Sequence, residues 1–236
     1  MADHDFDVES LAEYLHLSPS QVTRLVERGR IPARRVQGVW RFSPAEIHHW
    51  LENRIGLSDE AELMELEEVL RPAMMENEVE PTISEILPLD AIDINLPAKT
   101  RGSVITAMVE LGSRTGYIWD PAKMIEAIRI REEMHTTALE NGVALLHPRR
   151  PMQTILGEAF LAFGRTSRGI PFGGRRMTDL FFLICSLNDH GHLQTLARLS
   201  RLLHDEDLLS ELRSAESAHA VLELLSSREA GLTGNE

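Results

Sequence analysis

Apolar positions at the start of the chain recur at helical spacing. Leu11, Ala12 and Leu15 share one face of a short helix predicted over residues 8–15. Ser18-Pro19 reads as an N-cap followed by a first-position proline. The helix it opens runs to about residue 28, with Val22, Leu25 and Val26 inward and Gly29 at its end. Two short helices joined this tightly predict a helix-turn-helix. Residues 34–36 and 39–42 flank Gln37-Gly38 and predict a small hairpin. Ser43-Pro44 repeats the cap-plus-proline signal for a third helix through Ile47, Trp50 and Leu51. Trp40 and Trp50 are expected in this segment's core, and His48, His49, His204 and His219 on solvated helix faces.

Further on, Leu63, Leu66 and Leu70 form an apolar stripe among acids, predicting a helix from residue 59 to about 70, capped by Ser58 and stopped by Pro72. A dimerising or docking helix and a helix packed on its own domain both fit this stripe. Residues 83–87 and the alternating 91–96 read as strand. Helices follow through Val104–Leu111 and, capped by Asp120-Pro121, through Met124–Ile128. The apolar run 143–146 ends at His147, and strand-like runs recur at 158–163 and 180–185. Helices from about residue 191, over 205–213 and over 217–225 complete the chain. Strands and helices mixed in this way predict an α/β (α+β) body, a sheet covered by helices.

Charge divides the same sequence. The 236 residues carry a formal charge of −13, which excludes a uniformly basic nucleic-acid coat but not a local basic patch. Residues 20–42 hold six arginines against one acid, Glu27. Residues 56–81 hold nine acids and one arginine. The expected organisation is therefore a head over 1–55, an acidic helical linker over 56–81 and a body over 82–230. A lone cysteine, Cys185, excludes an intrachain disulfide and reads as a small buried hydrophobe. No apolar run is long enough to span a membrane, and the acidic start is no secretory signal, so a cytoplasmic protein without membrane insertion is expected.

The segment LAEYLHLSPSQVTRLVERGRIPARRV, the WRF hairpin and PAEIHHWL resemble the MerR-like excisionase family of winged helix-turn-helix domains. That resemblance implies a second helix in the DNA major groove and a wing on the backbone. Ser20, Gln21, Thr23 and Arg24 would then face base edges or phosphates, and Arg34, Arg35 and Arg41 would sit on phosphates. A protein-docking role for the head is the rival, since arginines on small helices are often a solvated face. One recognition helix makes few base contacts, so a homodimer is expected for specificity.

The body's REEMHTTALENGVALLHPR, its opening from ISEIL at residue 83, its IPFGGRRMTDLFFLICS and its HGHLQTLARLSRLL resemble the type-2 IIA domain of the bacterial phosphoenolpyruvate:sugar phosphotransferase system. This is the fructose, mannitol and nitrogen-regulatory group. The resemblance implies a mixed β-sheet flanked by helices on both faces, with His147 as phosphoryl acceptor and His192 beside it. In that family an Arg-Glu pair precedes a Thr-containing loop, a Gly, a short strand and the histidine; here these are Arg131-Glu132, Thr137, Gly142, residues 143–146 and His147. The chain departs from the family at Ala138-Leu139-Glu140 and at Leu146, where proline is usual; an inward Glu140 would repel a phosphoryl group. The ending His-Pro-Arg looks most like the nitrogen-regulatory branch.

The chemistry suits the residues. A neutral imidazole can take up and return a phosphoryl group. Arg131 offers a bidentate phosphate contact and Thr137 a hydroxyl donor. A lone histidine at a strand end is usually structural, but Arg131, Gly142 and His192 together turn His147 toward a nucleophile. His135, in the same loop, fits either role. Asp189, His190 and His192 lack a further spaced ligand, so no metal is expected. No Walker-type loop is present, so ATP is not the expected donor, and no cofactor is expected. The leading expectation is a regulator phosphorylated on His147 by an HPr-type phosphocarrier and coupled to DNA binding. The alternatives are a carrier serving a separate sugar permease IIB domain and a non-phosphorylated regulator that acts by contact with protein partners.

Overall fold

Polar caps set the ends of the first helices. The Asp7 carboxylate accepts the Ser10 amide at 2.9 Å, opening α1 (Val8–Tyr14). At α2 (Pro19–Glu27) Gln21 Oε1 accepts the Ser18 amide at 2.8 Å while Ser18 Oγ accepts that of Gln21. Gly29, at φ +64°, ends α2 in a conformation that favours glycine. In this computed structural model residues 5–15, 17–57, 81–173 and 175–233 are described. The chain divides into two compact units, within residues 1–76 and 77–236.

In the first unit β1 (Arg34–Val36) pairs antiparallel with β2 (Val39–Arg41). Both turn residues, Gln37 and Gly38, have positive φ, as a two-residue hairpin turn matched to strand twist requires. Helix α3 (Pro44–Leu57) follows. Leu11, Leu15, Val22, Phe42, Ile47 and Leu51 are buried and form the core of this winged helix-turn-helix. Trp40 and Trp50 are only half-buried, not core. The Arg35 guanidinium stacks 4.5 Å from the Trp40 ring centre, which keeps one face of that indole at the surface. His48 is buried rather than solvated; its Nε2 lies 3.1 Å from Glu52 Oε1, one helical turn on. The helix predicted over 59–70 lies outside the described residues.

In the second unit the strand expected at 83–87 is a series of turns. The Ile83 amide donates to the Glu229 carboxylate at 2.8 Å, not to a neighbouring strand, while Ile83 and Leu87 are buried. The alternation at 91–96 yields only the two-residue β3 (Ile92–Asp93), because the Asp93 carboxylate takes the Asn95 amide at 2.9 Å and turns the chain. Helices α4 (Arg101–Ser113) and α5 (Pro121–Met134) are capped by Thr100 and Asp120. Then come β4 (Val143–Leu146), β5 (Phe160–Ile170), β6 (Thr178–Cys185), α6 (Asp189–Leu202), α7 (Glu206–Ser214) and α8 (Ala218–Thr233). The strand predicted at 158–163 starts at Phe160 and continues to Ile170 along β6.

The sheet order is β3-β5-β6-β4, with β3–β5 and β4–β6 parallel and β5–β6 antiparallel. Alternation splits the sheet into two apolar faces. Ala144, Leu146, Phe181 and Leu183 share a core with Val104, Met108 and Ile128 of α4 and α5. The out-of-phase Leu145, Phe163, Phe182 and Ile184 are equally buried, and on that side α6 meets β6 and α8 meets β3. Each buried aromatic contributes about 1.5–3 kcal/mol. The body is therefore a mixed sheet flanked by helices. Cys185 is fully buried, and that burial raises its thiol pKa, so it stays protonated and inert. Among the described residues no helix is long and apolar enough to cross a membrane.

Candidate functional site

Strands β4 and β6 run parallel with Leu146 opposite Leu183, so both release the chain at the same edge of the sheet. His147 is the first residue beyond β4. Beyond β6 the chain turns through Ser186 and enters α6, where Asn188 Oδ1 accepts the Gly191 amide at 2.8 Å. His192 is the next residue. The two imidazoles are thereby brought to 4.9 Å between ring centres, tilted by 58°. Both are buried, at 3% and 2% exposure.

Each ring has a fixed contact on Nδ1. His147 Nδ1 lies 2.8 Å from the carbonyl oxygen of Leu145, and His192 Nδ1 lies 3.4 Å from Ser186 Oγ. A carbonyl only accepts, so Nδ1 of neutral His147 carries the proton and the ring lone pair is on Nε2. Arg131, buried on α5, donates from Nη1 to the His135 carbonyl at 2.8 Å, at the helix end.

Thr137 reaches the same strand from the other side. Its carbonyl accepts the Leu145 amide at 3.1 Å, and Ala138 bridges to Ala144. Its hydroxyl and its amide both donate to Oε1 of Glu132, the amide at 2.9 Å. The hydroxyl expected to face a phosphoryl oxygen is thus engaged with a carboxylate in this form. Glu132 is buried, and its Oε2 accepts from Arg101 Nη2 at 2.6 Å. The Glu132 carboxylate, Arg101 and Ser186 were not expected as site residues. Only the Arg131-Glu132 pair in the motif hinted at the first, and no local signal at the other two.

The departures from the family pattern are accommodated. Leu146 is fully buried in the core and Glu140 is exposed. His135 is exposed. Arg150, at the surface, lies 3.5 Å from Asp189 at the start of α6.

In the head, α2 uses several polar groups expected to read DNA. Gln21 Oε1 caps Ser18, and Thr23 Oγ1 donates to the Pro19 carbonyl at 2.9 Å. Ser20 Oγ lies 3.0 Å from Ser18 Oγ. Arg24 is exposed on the same helix, as are Arg28 and Arg30 beyond it. Arg34 pairs with Asp5 at 2.6 Å, and that hydrogen bond raises the arginine's pKa. Arg35 covers Trp40, and Arg41 lies 3.5 Å from Asp7.

A buried histidine pair at the strand-end edge of a four-stranded mixed sheet defines a IIA-type domain. The chain belongs to the phosphoenolpyruvate-dependent sugar phosphotransferase system, EIIA 2 family, whose model matches residues 85–228. A helix-turn-helix domain model matches residues 6–55. The chain is 30% identical over 147 residues to the fructose-specific EIIABC component of Bacillus subtilis, covering 61% of this chain and 23% of that protein. It is 32% identical over 149 residues to a nitrogen regulatory protein of Bradyrhizobium diazoefficiens, covering 61% of this chain and 94% of that one. The crystal structure of the nitrogen regulatory protein IIA-Ntr from Neisseria meningitidis superposes with a TM-score of 0.54 at 26% identity, over 61% of this chain and 98% of that one.

Proposed function

We propose that this chain accepts a phosphoryl group on Nε2 of His147 from an HPr-type phosphocarrier and couples the added charge to DNA binding by its head. The observation that carries the reading is the buried His147–His192 pair, with Nδ1 of His147 on the Leu145 carbonyl. In the transfer Nε2 attacks phosphorus in line with the carrier's nitrogen. The new N–P bond forms as the carrier's N–P bond breaks, and the carrier ring keeps the electron pair. The proton on Nδ1 stays, so the phosphorylated ring carries positive charge that the Leu145 carbonyl stabilises. Donors and positive charge around the equatorial oxygens are the remaining need, and His192 and Arg131 are the groups assigned to it. Thr137 holds the loop beside the acceptor, its hydroxyl on Glu132 in the resting form.

Phosphorylation adds a charge of about −2 to a chain that already carries −13. The acidic linker over 56–81, with nine acids and one arginine, is the repulsive partner assigned to that change. In the head, Arg24, Arg34, Arg35 and Arg41 meet phosphates, and Ser20 lies where α2 enters the groove. Selecting bound fragments from a genomic DNA pool tests the coupling, with protein taken before and after incubation with phosphoenolpyruvate, enzyme I and HPr. A phosphate-dependent change in affinity that His147→Ala does not show supports it. Equal affinities with full phosphate occupancy contradict it.

The likeness to fructose-system proteins favours a second reading, in which His147 passes the group to a separate IIB domain. Transfer from phosphorylated protein to an isolated IIB domain, without any change in DNA affinity, would select it.

A further inference from the structure

An antiparallel pair normally exchanges two backbone hydrogen bonds at every second residue. The segment 137–139 keeps one bond of each such pair against β4, Leu139 N on the Val143 carbonyl and Leu145 N on the Thr137 carbonyl, while the Val143 amide turns to Asn141 Oδ1. The reciprocal bond, Thr137 N to the Leu145 carbonyl, is the one the ladder calls for next. It is not made. The Thr137 amide turns to Glu132 Oε1 at 2.9 Å, and the Leu145 carbonyl takes His147 Nδ1 at 2.8 Å.

We infer that Glu132 is a positioning residue for His147: by drawing the Thr137 amide out of the ladder, its carboxylate reserves the Leu145 carbonyl for the histidine's Nδ1–H. Glu132 does not touch the reacting atoms. It acts through a continuous series of bonds, from Arg101 to Glu132, to Thr137, to Leu145 and to His147. A buried carboxylate is costly unless charge-paired and hydrogen-bonded, and here two donors from Thr137 and the guanidinium of Arg101 meet that need. Without the carboxylate the Thr137 amide has the Leu145 carbonyl as its natural partner. His147 then loses the acceptor that holds its tautomer and ring orientation, and the lone pair is no longer confined to Nε2. Thr137 is a relay in this arrangement, with its backbone amide as the active part.

The inference rests on His147 being the acceptor, but its test does not. Nitrogen-15 NMR of the histidine rings in the full chain reports which nitrogen is protonated, whether or not phosphoryl transfer occurs. The wild type is expected to show a single His147 tautomer with Nδ1–H. Glu132→Ala is expected to give mixed tautomers, and Glu132→Gln, which keeps an oxygen for the Thr137 amide, to restore the wild-type signal. Arg101→Met, at a partly exposed position, is expected to shift the signal in the same direction by a smaller amount, and decides alone if Glu132→Ala fails to fold. Phosphorylation of His147 in Glu132→Ala should slow by about tenfold, with Glu132→Gln close to wild type. An unchanged His147 tautomer in folded Glu132→Ala, or in Arg101→Met where the alanine variant does not fold, overturns the inference. Failure of the wild type to accept phosphate, with the tautomer responses as expected, overturns only the acceptor reading.

Discussion

The ring centres of His147 and His192 lie 4.9 Å apart although the two residues are 45 positions apart in the chain. The parallel register of β4 and β6 causes this, since both strands end at one edge and α6 begins there. In the proposed reaction His192 assists transfer but does not form the N–P bond. His192→Ala should therefore still accept phosphate, with a rate lower by about 100-fold, the usual cost of one lost transition-state donor. Rapid-quench time courses of phosphate incorporation check this, and an unchanged rate would remove His192 from the mechanism.

Much of this arrangement is readable from local signals. Ser18-Pro19 and Asp120-Pro121 announce helix starts through bonds made within three residues, so no distant partner is needed. The strand ending at His147 is equally local. Residues 83–87 are less legible, because their amides at Ile83 and Ser84 are taken by Glu229 on the last helix and only the Ile86 carbonyl meets a strand, at Leu161. Gln21 and Thr23 look like groove-facing polar residues, yet their side chains close bonds inside α2. The Glu132 carboxylate is the hardest case. Its role depends on which carbonyl the Thr137 amide would otherwise meet, and that is decided only once 137–139 lies against β4.

Gly142 precedes β4 with φ +89°. An added Cβ would lie 2.9 Å from Arg213 Nη2 and 3.2 Å from the Met177 carbonyl oxygen. Gly142→Ala combines backbone strain with this crowding and should cost about 1–3 kcal/mol. A lowered urea midpoint at unchanged slope would show it. An unshifted midpoint would mean the turn can relax.

Asp7 caps α1, and the Ser10 amide and hydroxyl hold its carboxyl below the usual value of 3.8. A depressed folded-state pKa means the ionised cap stabilises the fold fully above the unfolded value, and the contribution fades as pH falls through the folded one. Asp7→Asn keeps an oxygen for the Ser10 amide but cannot titrate. The stability difference between wild type and variant should be constant near neutrality and shrink below about pH 4. Thermal unfolding across that range is the measurement, and a difference independent of pH would contradict the assignment.

The head's arginines make distinct predictions from its polar residues. If Arg24 and Arg35 meet phosphates, replacing either with alanine should lower the slope of log K against log salt by about 0.9. Gln21→Ala should leave that slope unchanged and lower helix stability, because its amide oxygen caps Ser18. Titrations of a selected DNA site at several salt concentrations separate the two. Equal slopes in all variants would favour the protein-docking role for the head.

The central claim is that His147 accepts a phosphoryl group. The full chain, wild type and His147→Ala, is incubated with phosphoenolpyruvate, enzyme I and HPr beside an active IIA control, and the intact masses are read under alkaline conditions that preserve phosphohistidine. The account predicts one added phosphoryl group in the wild type and none in folded His147→Ala. An unmodified wild type beside a phosphorylated control, or equal modification of the variant, would contradict it.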